Sequence, residues 1–140
     1  MKPCVYRYVD TESGITKYVG IVYKGSLEKR LTAHMCMDPW ANDACWKVEY
    51  FECKNRSEAE AFESHLIALY ETHKYYNKAK ANWGLNRFLP DVEEWWQIAV
   101  MPKYENLEIM KFALFIRDLI RQERRKDVLF LLDFIDFEDN

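Results

Sequence analysis

Six residues of this 140-residue chain have types and spacing suited to chemistry on a charged substrate: Tyr6, Tyr18, Arg30, His34, Glu63 and Asn77. Cleaving a phosphodiester requires an activated water, neutralisation of charge in the transition state and stabilisation of the leaving oxygen. Arg30 offers a planar fork for phosphate oxygens that a lysine does not match in geometry. Glu63 offers one hard oxygen ligand. A lone carboxylate completed by waters and a phosphate oxygen is a usual Mg²⁺ arrangement, so one metal ion is expected, with Mn²⁺ able to substitute. The proton acceptor is left open: His34 titrates near neutrality, whereas a phenol with an ordinary pKa of about 10 is a poor base unless Arg30 or the metal lowers it. Asn77 suits a supporting role, holding the reactive groups from behind.

Particular elements must position these groups. Cys4 to Val9 and Ile15 to Val19 are rich in strand formers and flank the turn residues Thr11-Glu12-Ser13-Gly14, which predicts a β-hairpin. A register whose paired numbers sum to 24 places Tyr6 opposite Tyr18, both rings on one face. Ser26 is the expected N-cap of a helix running to about Met35, with Leu27, Leu31 and Met35 as its apolar stripe. Arg30 and His34, four apart, share a face beside that stripe. Residues 46–53 alternate as a third strand. Ser57-Glu58-Ala59-Glu60 matches a capping box and opens a long helix expected to end near His73. Its apolar face gathers Ala59, Phe62, Leu66, Leu69 and Tyr70, with Ile67 at the margin. Glu63 projects from that same side, where a carboxylate needs a partner.

In order and approximate spacing, these residues resemble the GIY-YIG nuclease superfamily over roughly residues 4–82. Cys4-Val5-Tyr6 stands for the first signature strand and Tyr18-Val19-Gly20 for the second. Arg30 and His34 follow on a helix, then Glu63 within Ala61-Phe62-Glu63-Ser64-His65-Leu66-Ile67, and Asn77 within Tyr75-Tyr76-Asn77. Cys4 replaces the first glycine of the name motif, and the loop from Gly20 to Arg30 is somewhat long. The resemblance implies a metal-dependent DNA endonuclease in which Tyr6 activates water, Tyr18 and His34 assist through hydrogen bonds, and Glu63 binds the metal. It also implies an α/β (α+β) fold, a small three-stranded antiparallel sheet flanked by helices. Lys78, Lys80 and Arg87 are candidate contacts to the DNA backbone. The rival reading is a DNA-binding or partner-binding module of the same shape with weak or no turnover.

Each residue alone also has an ordinary reading: strand aromatics for the tyrosines, a solvated helix face for Arg30 and His34, an ion pair for Glu63. Six ordered positions on compatible elements outweigh those separate readings. Trp40, Trp46 and Trp83 are expected to pack rather than stack on bases, and Trp95-Trp96 to cover the domain.

Composition sets the frame. With 49% hydrophobic and 31% charged residues, the chain can build a packed core. It contains neither a membrane-length apolar run nor a signal-peptide pattern, and cytoplasmic residence with no membrane partner is expected. The cysteines Cys4, Cys36, Cys45 and Cys53 lack zinc-site spacing and read as reduced, mostly buried thiols. Residues 1–88, the expected nuclease domain, carry 13 Lys+Arg against 11 Asp+Glu; residues 89–140, an expected helical extension, carry 7 against 12. A pI near 5.7 is not that of a tight non-specific duplex binder. Leu107 to Ile120 form an apolar arc wider than one helix face needs, so residues 106–137 are a candidate homodimer surface.

Overall fold

In the computed structural model, residues 2–42, 45–77, 84–102, 108, 111–112 and 115–116 are described. Strand β1 (Cys4–Asp10) and strand β2 (Thr16–Val22) form the expected hairpin. Helix α1 (Leu27–Met37) follows, then a 3-10 turn at Pro39–Asn42, strand β3 (Trp46–Glu52), helix α2 (Arg56–Tyr70) and strand β4 (Gln97–Ile98). The strands make one antiparallel sheet in the order β2-β1-β3-β4. The fold is therefore α+β with four strands rather than three. The additional strand has only two residues, too few to show an alternation in sequence.

Alternation along β1 sends Tyr6 and Tyr8 to one face of the sheet and Val5 and Arg7 to the other. The tyrosine face packs on Leu31 of α1 together with Cys4, Val22 and Val48. On the opposite face Val5, Val19 and Phe51 meet Ala59, Phe62, Leu66 and Ile67 of α2. Burying each of the larger of these side chains contributes about 1.5–3 kcal/mol relative to exposure. Val92, Leu89 and Trp96 join the α2 layer and Ala99 the α1 layer. Residues 89–99, assigned to the extension from sequence, thus supply a strand and part of the core. Trp95 and Trp96 lie edge-on against Phe51, as a covering role requires. Leu69, placed on the apolar face from its spacing, is 51% exposed instead.

The hairpin register differs by two residues from the expected one. Tyr6 pairs with Gly20 and Tyr8 with Tyr18, and at a bulge between Tyr8 and Val9 the register moves by one, so that Val9 pairs with Thr16. A two-residue shift leaves every side chain on its original face, so the apolar pattern cannot select between the registers. Bulk does. A Cβ on Gly20 would lie 2.6 Å from Cζ and Oη of Tyr6, so only glycine admits that ring.

Ser26 caps α1 by accepting from the Lys29 amide at 3.1 Å. Helix α2 starts earlier than the Ser57 box implies: Asn55 accepts from the Glu58 amide at 2.9 Å while the Glu58 carboxylate accepts from the Lys54 amide at 3.1 Å. An equivalent reciprocal arrangement two residues upstream takes the cap. Glu60 is left to pair with Arg56 at 2.7 Å. Helix α2 ends at Tyr70 rather than near His73, because Glu71 turns left-handed (φ 55) and a 3-10 turn, Thr72–Lys74, reverses the chain.

All four cysteines are free; Cys4 and Cys53 are buried, Cys36 is half-buried and Cys45 is exposed. Burial pushes the Cys4 thiol up to about 11 and that of Cys53 to about 12, as befits packing residues. Among the described residues, no helix is long and apolar enough to cross a membrane.

Candidate functional site

Strand β1 contributes Tyr6, β2 contributes Tyr18, and both rings rise from the face covered by α1, with centroids 6.0 Å apart. Helix α1 lays His34 over them. Its imidazole lies 5.7 Å from the Tyr6 and Tyr8 rings, 4.9 Å from Tyr18 and 5.4 Å from Trp40. Trp40 in turn stacks on Tyr76 at 4.8 Å, which closes one side of an aromatic box. Trp40 and Trp46 are thus packing residues; Trp83 lies outside the described residues.

The Tyr6 hydroxyl hydrogen-bonds Nε2 of His34 at 2.5 Å, and Nδ1 of His34 meets Oδ2 of Asp38 at 2.7 Å. An ionised carboxylate only accepts, so Nδ1 carries hydrogen; in the neutral imidazole Nε2 then presents its lone pair and accepts from Tyr6. Burial is the largest influence on His34 and lowers its pKa. Asp38 opposes that shift, while Arg30 adds to it. The neutral imidazole is therefore ready to accept a proton. Tyr6 is held well above the ordinary phenol value, first by burial and then by Tyr18, with Arg30 opposing. Tyr6 is therefore held as the neutral phenol, with His34 as a hydrogen-bond partner for its proton.

Tyr18 is partly exposed whereas Tyr6 is only 1% exposed, so the tyrosine pair meets solvent at Tyr18. Burial raises the Tyr18 pKa; the Tyr6 hydroxyl lowers it, Glu63 raises it and Arg30 lowers it. The guanidinium and the carboxylate are thus both felt at this hydroxyl although they stem from helices on opposite faces of the sheet. Helix α2 packs most closely on β2, an edge strand and the one that carries Tyr18. Glu63 itself is 7% exposed, on the inward side its helical position requires, whereas Arg30 is open to solvent.

Asn77 reaches β2 through the reversal that follows α2. Its Oδ1 accepts from the Val19 amide and its Nδ2 donates to the Val19 carbonyl, both at 2.8 Å, and the side chain is 3% exposed. The carboxamide pairs with the outer edge of β2 as another strand would. Val19 sits between Tyr18 and Gly20, so Asn77 fixes the backbone on which the rim tyrosine stands.

Of the six residues singled out in the sequence, Tyr6, Tyr18 and His34 are in mutual contact, Asn77 braces β2 beside Tyr18, and Arg30 and Glu63 reach the Tyr18 hydroxyl through their charge. Asp38 was not among them, and its signal is the i,i+4 spacing to His34, the same relation that joins His34 to Arg30. Arg87 is exposed and has no described contact with this cluster, while Lys78 and Lys80 lie outside the described residues, as does most of 106–137. A cavity of about 540 Å³ between α2 and residues 89–93 is bordered by His65, Leu66 and Tyr70 and by none of the six. Among the described residues, no three His, Cys, Asp or Glu side chains gather as a ready-made metal cage. No protein-family model matches the chain, and comparison with curated proteins and with solved structures finds no significant match.

Proposed function

We propose that the chain is a metal-dependent endonuclease that hydrolyses phosphodiester bonds of DNA. The observation that carries this reading is the meeting of a hydrogen-bonded Tyr6–His34 pair, a rim tyrosine and the fields of Arg30 and Glu63. The resemblance of the same residues to the GIY-YIG pattern supports it independently of their geometry. Arg30, exposed beside the tyrosines, binds the phosphate and offsets its charge. The tyrosine pair receives the proton of the attacking water, and His34 takes the proton that Tyr6 gives up. Asn77 keeps Tyr18 in place from behind.

Glu63 is the group that would hold a divalent ion. A carboxylate whose charge reaches the Tyr18 hydroxyl provides hard oxygen atoms, and Mg²⁺ characteristically binds one or two carboxylates while keeping several waters, so the donor chemistry fits. When bound, the ion would supply charge neutralisation at the phosphate and the leaving oxygen.

The test is nicking of supercoiled and branched DNA with Mg²⁺ or Mn²⁺, comparing the wild type with E63A and R30A. Each substitution is expected to lower the rate by about 10²-fold or more, the scale of losing one charge-stabilising group. Equal activity in all three proteins would reject the assignment. An inactive wild type whose folded E63A variant still binds DNA would select a binding module.

A further inference from the structure

We propose that Asp38 is a positioning residue for this reaction, holding His34 in the tautomer whose Nε2 can receive the Tyr6 proton. The inference deepens the endonuclease reading and rests on it, but it assigns a residue outside the six-residue pattern. Asp38 lies at the C-cap of α1, where its amide donates to the His34 carbonyl at 2.8 Å and its carboxylate oxygen faces Nδ1 of the same residue at 2.7 Å. Backbone and side chain thus both tie it to His34.

The imidazole is enclosed by Tyr6, Tyr8, Tyr18 and Trp40, which restrict rotation of the ring. With orientation fixed by packing, only the proton position remains to be set. Were Nδ1 unprotonated, its lone pair would face a carboxylate and Nε2–H would point at the Tyr6 oxygen, leaving that hydroxyl without its acceptor. The Asp38 contact selects the opposite arrangement.

The charged and titratable groups facing His34 are Tyr6 and Tyr8 from β1, Tyr18 from β2, and Arg30 and Asp38 on α1 and its cap. Three are neutral phenols. Arg30 disfavours a positive imidazole, and among the described residues Asp38 compensates it.

The proton movements balance. As a water oxygen bonds to phosphorus, its proton enters the tyrosine pair and the Tyr6 proton passes to Nε2, giving an imidazolium beside the Asp38 carboxylate. The bond from phosphorus to the leaving oxygen breaks, that oxygen takes a proton from solvent, and the imidazolium returns its own to solvent.

Asp38 is suited to mutation because its side chain is 41% exposed, so substitution leaves no large cavity. The test uses the full chain as wild type, D38N and D38E, with two readouts: the His34 ring tautomer by ¹⁵N NMR, and DNA nicking with Mg²⁺ as a function of pH. The expected tautomer in the wild type is Nδ1–H. D38N is expected to lower kcat by about 10²–10⁴-fold with KM little changed, the range for disabling a positioned acid–base group. Its remaining activity should have an acid limb at lower pH, because the carboxylate no longer supports the imidazolium. D38E should recover part of the loss through a carboxylate that still reaches Nδ1. Nε2–H in the wild type, or D38N with unchanged kcat and pH profile, would overturn the proposal. A wild type that does not nick DNA would instead remove the endonuclease reading, and the NMR result would still uphold or overturn the Asp38 contact.

Discussion

Replacing Gly20 with alanine adds one methyl group where the Tyr6 ring already lies. The new Cβ would sit 2.6 Å from Cζ and Oη of Tyr6 and 2.9 Å from Cε1 of Tyr18, against about 3.4 Å for an ordinary contact. One side must yield by about 0.8 Å. Tyr6 has little room to do so, since it is enclosed by Tyr8, Tyr18 and His34 and hydrogen-bonded to Nε2. Overpacking of this kind costs about 1–3 kcal/mol, while alanine in a strand recovers about 0.5–1 kcal/mol over glycine. The net loss expected is therefore up to about 2.5 kcal/mol, measurable by urea denaturation. Catalysis should suffer more, because moving the Tyr6 hydroxyl by most of an ångström disturbs its contact with His34; about 10²-fold in nicking rate is the expected scale. Gly14 provides the control. It has φ +73 and nothing within 4 Å of its would-be Cβ, so G14A should cost about 1–2 kcal/mol of backbone strain and leave activity intact in the folded protein. Wild-type activity in G20A, or equal loss in folded G14A and G20A, would refute the reasoning.

Three further outcomes are expected. N77A removes both hydrogen bonds to Val19 and leaves a buried amide and carbonyl unpaired, so it should lose about 2–4 kcal/mol in chemical denaturation; a loss below about 0.5 kcal/mol would contradict the bracing role. His34 has a folded pKa below its unfolded value of about 6.5, so the unfolded chain binds more protons between the two values and stability falls as pH drops through that window. The slope from this one group is at most about 1.4 kcal/mol per pH unit, and it should vanish in H34Q, as paired denaturation curves at neutral and mildly acidic pH would reveal. On the opposite face, Arg7 donates to Glu49 at 2.8 and 3.1 Å and lies 4.3 Å from the centre of the Trp96 ring. E49A strands a buried charge and should cost about 3–5 kcal/mol, whereas the double variant R7M/E49L should regain most of that stability.

The hairpin, both main helices and the third strand were legible in the sequence because each carries its own period and punctuation: alternating strand formers around Gly14, Ser26 before Leu27-Leu31, a capping pattern near residue 56. Glu63 was legible as an inward carboxylate for the same reason, since helical spacing fixes direction. What escaped depended on volume or on distant contacts. The register was off by two because only the space at Gly20 selects it. The cap of α2 fell on Asn55 because two overlapping segments could each satisfy the same amides. Strand β4 was too short for any pattern, and the i,i+4 spacing of Asp38 to His34 was outweighed by its place after a helix C-terminus, where the helix dipole disfavours an acid. That Tyr18 feels both Glu63 and Arg30 follows from how α2 lies along an edge strand, which one-dimensional spacing does not encode.

The pairing of Asn77 with Val19, together with the Tyr76 amide on the Lys17 carbonyl at 3.3 Å, also occupies hydrogen-bonding groups on the outer side of β2. An uncovered strand margin is a template on which a neighbouring molecule can add its own backbone. Here the Asn77 carboxamide and the Tyr76 amide occupy that margin, next to the residues proposed for catalysis. The same side chain that steadies Tyr18 thereby discourages strand-to-strand aggregation, so its loss should turn a monodisperse solution into one that self-associates with rising concentration.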